Sequence, residues 1–360
     1  MKKIGAILLS MIMMLSLIGC GNKSTSESNG GYELALITDV GTIDDKSFNQ
    51  GSWEGVVKYA EENGLTHKYY KPTEKSDEAF MTAIDLAVKG GAKVVVCPGF
   101  LFEVAVYNAQ AKYPDVTFII LDGSPHSGDY NVDIAENTYS IFYAEQEAGY
   151  LAGYAAVKDG YRQLGFMGGI AVPSVIRFGY GFVQGADAAA KELGLDKDSI
   201  NIKYTYVGNF DASPENMAKA ASWYNEGTEV IFACGGGVGN SVMKAAETAG
   251  KKVIGVDVDQ SSESETVITS SMKNLQKSVY DALSAFYNGT LNGGTSVTLT
   301  AVDGDVMLPM ETSKFTTFSK EDYNKVYEKL VNGEIKVGDD TVAEDASKLS
   351  TEIVKVNLIK

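Results

Sequence analysis

Three aspartates close three apolar runs. Asp39 follows LALIT (34–38), Asp122 ends FIILD (118–122) and Asp257 ends VIGVD (253–257). An ionised carboxylate offers about four acceptor sites and no donor, so three of them converging on one place suit a ligand rich in donors, such as ring N–H groups and pairs of sugar hydroxyls. The competing role for each is to cap the helix that follows it. Phe48 stands beside Asn49 at the start of a helical pattern. There a ring either packs into the core or offers its face to a planar ligand, and base–aromatic stacking contributes about 1–3 kcal/mol per base. Gly235 and Gly236 follow the run VIFAC (230–234), where residues without Cβ let backbone amides come close to a ligand.

Catalytic chemistry finds little support. His67 and His126 are the two histidines, in neither nucleophile nor metal spacing, and no GxSxG, HExxH or GxxxxGK[ST] pattern occurs. GGGVGN (235–240) follows a strand-like run but lacks the GxGxxG order of a dinucleotide loop. The expectation is a binding protein with no catalytic residue, cofactor or metal. Cys97 and Cys234 close separate apolar runs and read as buried free thiols rather than a disulfide framework.

Apolar runs at 34–38, 94–97, 118–121, 164–167, 230–234 and 253–256 alternate with amphipathic stretches at 47–63, 76–89, 175–193 and 239–249. Continuously hydrophobic strands separated by helices predict parallel sheets covered on both faces, an α/β architecture. The second half repeats the first. Leu34, Phe48, Gly51, Gly55, Gly64 and Leu65 match Leu164, Phe178, Gly181, Gly185, Gly194 and Leu195 at a constant shift, and Asp122 matches Asp257. Cys97 with Gly99 likewise matches Cys234 with Gly236. Two doubly wound lobes place their ligand outside the carboxyl ends of the strands, so the strand-end residues face one another across a cleft. The repeat makes Phe178 a partner for Phe48 on the opposite lobe. Phe210, in the loop GNFDAS, competes for the same position.

The N-terminus reads as an export signal. Lys2 and Lys3 precede an apolar stretch that ends in Leu17, Ile18, Gly19 and Cys20; it is shorter than the ~20 residues of a membrane span. Residues 1–19 form the expected signal peptide, with Cys20 resembling a lipidated bacterial lipobox cysteine. Residues 20–31 then form a polar, flexible linker. Acyl chains at roughly 0.8 kcal/mol per buried methylene would hold the chain to the extracytoplasmic face of the cell membrane. With 31 basic residues against 47 acidic, the formal net charge of −16 argues against nucleic acid as a partner.

The stretch LITDVGTIDDKSFNQGSWEG (36–55) closely resembles the opening segment of the basic membrane protein family of substrate-binding lipoproteins of nucleoside ABC importers. The resemblance continues through VVVCPGF, FIILD, EAGYLAGYAA, RFGYGFVQGA, GVDVDQ (255–260) and TSSMKN (269–274). It implies a type I periplasmic-binding fold that captures purine nucleosides for a permease and ATPase complex. By that resemblance Asp39 and Asp122 bind the base, Phe48 stacks on it, Asp257 contacts the ribose, and Gly235 or Gly236 supplies backbone contacts. Lys273 either contacts the ribose or sits solvated at a helix start. In the opening loop, the glycines keep the backbone clear of the ligand. The expected lobes are 32–138 with about 268–292, and 139–267 with about 293–360. Riboflavin or another flat heterocycle is an alternative cargo, and ligand sensing without transport an alternative role.

Overall fold

The computed structural model describes residues 31–359; the expected signal peptide, Cys20 and nearly all of the linker lie outside them. Its first half runs β1 (Leu34–Ile37), α1 (Phe48–Asn63), β2 (His67–Tyr70), α2 (Asp77–Lys89), β3 (Val94–Pro98), α3 (Glu103–Lys112), β4 (Thr117–Leu121) and β5 (Thr138–Tyr143). Then come α4 (Glu145–Lys158), β6 (Gln163–Gly168), α5 (Pro173–Glu192), β7 (Ile200–Tyr206), α6 (Pro214–Asn225), β8 (Val230–Cys234), α7 (Gly237–Ala249), β9 (Lys252–Asp257) and β10 (Val267–Lys273). The chain finishes with α8 (Leu275–Tyr287), β11 (Thr295–Leu299), β12 (Val306–Met307), α9 (Lys320–Val331) and β13 (Val354–Leu358).

The duplication visible in the sequence is a duplication of topology. One sheet has the order β11-β5-β4-β3-β1-β2 and the other β12-β10-β9-β8-β6-β7-β13, so the five repeated strands take the same places in both. Nearly all pairings are parallel; β12 against β10 is antiparallel. Strands such as Val94–Pro98 and Val230–Cys234 are buried along their whole length, as helices on both faces require. Cys97 and Cys234 are buried free thiols.

The division between lobes differs from the expected one near the crossovers, because ladder hydrogen bonding decides membership. β5 pairs with β4 in the first sheet, β10 pairs with β9 in the second, and β11 returns to the first beside β5. Among the described residues the chain therefore passes between sheets after β5, after β10 and after β11. The helices at the first two passages change lobes with it. α4 packs on α5 and α8 packs on α1.

These helix pairs explain the repeated glycines. A Cβ on Gly149 or Gly153 would lie 2.1 or 2.0 Å from the carbonyl oxygens of Phe178 and Phe182, and one on Gly181 or Gly185 would lie 2.0 Å from those of Gln146 and Tyr150. The backbones of α4 and α5 thus touch. Gly51 and Gly55, from the opening segment, face Leu275, Gln276 and Val279 of α8. This corrects the expectation that these two glycines clear space for a ligand: they clear space for a helix.

The segment after residue 310 wraps the second lobe. Asp159 accepts the backbone N–H groups of Thr316, Thr317 and Phe318. Asp187 accepts those of Glu352, Ile353 and Val354, which leads into β13 at the sheet edge beside β7.

Candidate functional site

A cavity of about 340 Å³ lies between the carboxyl ends of the two sheets. From the first lobe it is bordered by Asp39, Phe48, Asn49, Gly99 and Asp122. The second contributes Phe178, Phe210, Gly235, Gly236 and Asp257, with Lys273 at the end of β10. Every ligand-side residue singled out in the sequence borders this one space.

Local geometry aims the acids inward. Asp122 and Asp257 both have left-handed backbones, φ 55° and 66°, a conformation uncommon outside glycine that aspartate tolerates best. Gly99 and Gly236, matched in the repeat, sit at φ 122° and 52°. The strained turn at each strand end is thus built twice. None of the three aspartates caps the helix after it. Asp39 Oδ1 accepts from the Gly41 backbone N–H at 2.6 Å and from Asn49 Nδ2 at 2.8 Å, while Asp39 Oδ2 turns toward Gly99. Asp122 Oδ2 accepts from Lys273 at 2.5 Å, and Asp122 Oδ1 is buried with no partner among the described residues. Asp257 Oδ2 accepts from the Ser47 hydroxyl at 2.5 Å.

Asn49 borders the cavity with its polar atoms already engaged. Its Nδ2 donates to Asp39 and Asp45, and its Oδ1 accepts the Asp39 backbone N–H at 3.1 Å. It therefore orients Asp39. The cap of α1 is Asp45, whose two oxygens accept the N–H groups of Ser47, Asn49 and Gln50, leaving the Ser47 hydroxyl for Asp257.

Lys273 corrects one reading of the sequence. Far from a solvated helix start, its side chain is 2% exposed, lying 2.5 Å from Asp122, 3.4 Å from Glu145 and 3.7 Å from Asp257. The ammonium also sits 4.4 Å from the centre of the Phe48 ring, a cation–π contact. Burial works against its charge, but the three carboxylates outweigh burial and hold its pKa above the ordinary value. Burial in turn pushes Asp39, Asp45 and Asp257 up. It pushes Asp122 up to about 7, against the pull of Lys273.

The two candidate second rings separate. Phe178 is 1% exposed and packs edge-on against Phe232 in the core. Phe210 is half-buried, its ring lying over Gly169 and near Gly235. Sequence reasoning missed Ser47, Asp45, Glu145 and Arg177. Glu145 is fully buried, and Arg177 Nε donates to it at 2.6 Å. Neighbouring motifs hint at both, yet only the folded chain brings them to Lys273.

A family model described as ABC transporter substrate-binding protein PnrA-like, named Bmp, matches residues 32–341. The chain belongs to this family. Among Bmp-type relatives, the ABC transporter nucleoside-binding protein BmpA of Lactococcus lactis subsp. cremoris is 28% identical over 361 residues, covering 93% of this chain and 97% of the relative. Basic membrane protein D of Borreliella burgdorferi is 27% identical over 349 residues, covering 95% and 97%. The fold is similar to that of an ABC transporter solute-binding protein from Aeropyrum pernix K1, with TM-score 0.73 and 22% identity over 85% of this chain and 92% of that one. A Conexibacter woesei solute-binding protein gives TM-score 0.68 at 19% identity, covering 86% and 99%. As a Bmp family member the protein is an ABC transporter substrate-binding protein, not an enzyme, and its role implies a permease and ATPase complex as partner. Among the described residues no helix is long and apolar enough to cross a membrane.

Proposed function

We propose that the cleft captures purine nucleosides. The observation that carries this reading is the polarity of the cavity: a partnerless Asp122 Oδ1, with Asp39 and Asp257 beside it, asks for a donor-rich guest. Asp39 and Asp122 accept base N–H groups, Asp257 accepts from ribose hydroxyls, and Gly235 and Gly236 offer backbone groups. Phe48 supplies one stacking face, and the half-open Phe210, rather than the core-bound Phe178, supplies the other. The volume falls within the roughly 300–1,000 Å³ of small-molecule sites. A relative 28% identical to this chain carries the name nucleoside-binding protein. Lys273 lies beneath, orienting Asp122 and meeting the ribose edge.

We further propose that lipidated Cys20 tethers the protein on the extracytoplasmic face of the cell membrane, with residues 1–19 removed. The binding test is calorimetry with guanosine, inosine, adenosine and riboflavin. Saturable binding of a purine nucleoside is the expected result; riboflavin alone binding, or no nucleoside binding at millimolar concentration, would overturn it. Detergent partitioning of wild type and Cys20→Ala from cells tests the anchor, and equal partitioning would exclude it.

A further inference from the structure

The C-terminal segment reaches the binding site without lining it. Gln184 of α5 exchanges two hydrogen bonds with the backbone of Gly338, Nε2 to the carbonyl at 2.8 Å and N–H to Oε1 at 2.9 Å. The Tyr180 hydroxyl donates to the Ala343 carbonyl at 3.1 Å. Between these pins Asp340 Oδ1 meets Arg177 Nη1 at 3.3 Å. The same guanidinium donates through Nε to Glu145 Oε2, and Glu145 Oε1 lies 3.4 Å from the Lys273 ammonium. Neither Asp340, Arg177 nor Glu145 borders the cavity.

We propose that Asp340 and Arg177 are positioning residues of the binding site, fixing Glu145 and through it holding Lys273 against Asp122 Oδ2, so that Asp122 presents Oδ1 to the ligand. The two oxygens of Glu145 are divided between two cations, one apiece. A guanidinium is planar, and its donors keep a fixed fork; displacing it from Asp340 therefore turns its Nε away from Glu145. A buried carboxylate that loses one cation draws harder on the other or takes up a proton, and either response moves Lys273. Glu145 stays charged although fully buried because Arg177 and Lys273 outweigh the cost of burial. The arrangement gives a segment outside the cleft control over which acceptor the cleft displays.

This inference rests on the binding role proposed for the cleft, and its test separates the two. Inosine and guanosine affinities are measured by calorimetry for wild type, Asp340→Asn, Arg177→Lys, Tyr180→Phe, Lys273→Met and the double variant Asp340→Asn/Lys273→Met. Asp340→Asn is expected to weaken binding roughly five- to twentyfold, within the range of coupling between groups of one network, with Arg177→Lys a partial substitute. Tyr180→Phe, which loosens the same segment elsewhere, should leave affinity unchanged, and the Asp340→Asn loss should vanish when Lys273 is absent. An unchanged affinity in Asp340→Asn, an equal loss in Tyr180→Phe, or a loss that persists in full beside Lys273→Met would overturn the proposal. Carboxyl-carbon NMR titration of the ligand-free single variants gives a second readout. Glu145 and Asp122 should titrate differently from wild type in Asp340→Asn and Arg177→Lys. If wild type binds no nucleoside, the nucleoside reading fails and this titration decides alone; wild-type titration in both variants would overturn the positioning role.

Discussion

The Ser47 hydroxyl on the first lobe donates to Asp257 on the second at 2.5 Å. Ser47 occupies the N-cap position of α1, but its side chain caps nothing there; Asp45 has taken that task. Close by, Gln260 Nε2 of the second lobe donates to the Lys46 carbonyl of the first at 2.7 Å. A residue type that ordinarily caps the start of a helix is thus redirected across the cleft, where it joins the lobes beside the cavity.

Ser47→Ala should loosen the joined arrangement without unfolding the protein. A hydrogen bond to a charged group contributes about 1.5–3 kcal/mol, so ligand release is expected to quicken by at least about tenfold, read by stopped-flow fluorescence. The melting temperature of the ligand-free protein should fall by only a few degrees, since the α1 cap is intact. A large fall in melting temperature with unchanged release would contradict this.

Asp122 sets a pH dependence. Burial raises its pKa from 3.8 unfolded to about 7 folded, so the folded state holds the proton more tightly. The associated stabilisation is complete below about pH 4 and is lost as pH rises through about 7. Asp39, Asp45 and Asp257 are shifted the same way. Asp122→Asn should therefore flatten the fall in melting temperature between pH 4 and pH 7, and calorimetric scans across that window would show it. An unchanged slope would assign the titration to another group.

The two aromatic candidates predict opposite phenotypes. Phe210→Ala should weaken nucleoside binding by about 1–3 kcal/mol with a small effect on stability. Phe178→Ala removes a ring buried against Phe232 and should destabilise the fold by about 3–5 kcal/mol. Chemical denaturation and calorimetry on both variants provide the comparison; equal stability losses would disprove the assignment.

Asp187 secures the last strand. Burial favours its neutral form, but three backbone N–H groups and Lys191 outweigh that and keep its pKa below the ordinary carboxylate value. Its contribution is therefore present above the unfolded pKa and lost as pH falls through the folded one. Asp187→Ala should cost about 2–4 kcal/mol and speed hydrogen exchange in residues 352–358 while leaving β4 protected. Unchanged exchange at those residues would refute it.

What the sequence disclosed depended on how local the signal was. Asp39, Asp122 and Asp257 were readable because each ends an apolar run, and a parallel α/β sheet sends such residues to one edge. The repeat was readable because helix packing keeps glycine spacing in register, although Gly51 and Gly55 serve α8 and not a ligand. β10, with its polar centre of Thr269, Ser270 and Ser271, carries no apolar signal that would assign it to the second sheet; its buried ladder beside β9 becomes visible only on folding. Ser47, Glu145 and Arg177 act on partners distant in sequence, so no spacing rule points to them. The exposure that separates Phe210 from Phe178 is likewise set by tertiary packing.

Glu145 opens α4 just past one passage between sheets, and Lys273 ends β10 at another. Lys273, which borders the cavity, and Glu145, which lies 3.4 Å behind it, thus both sit where the chain passes from one sheet to the other. Any change to this ion pair therefore falls at once on the wall of the pocket and on the links that join the two sheets.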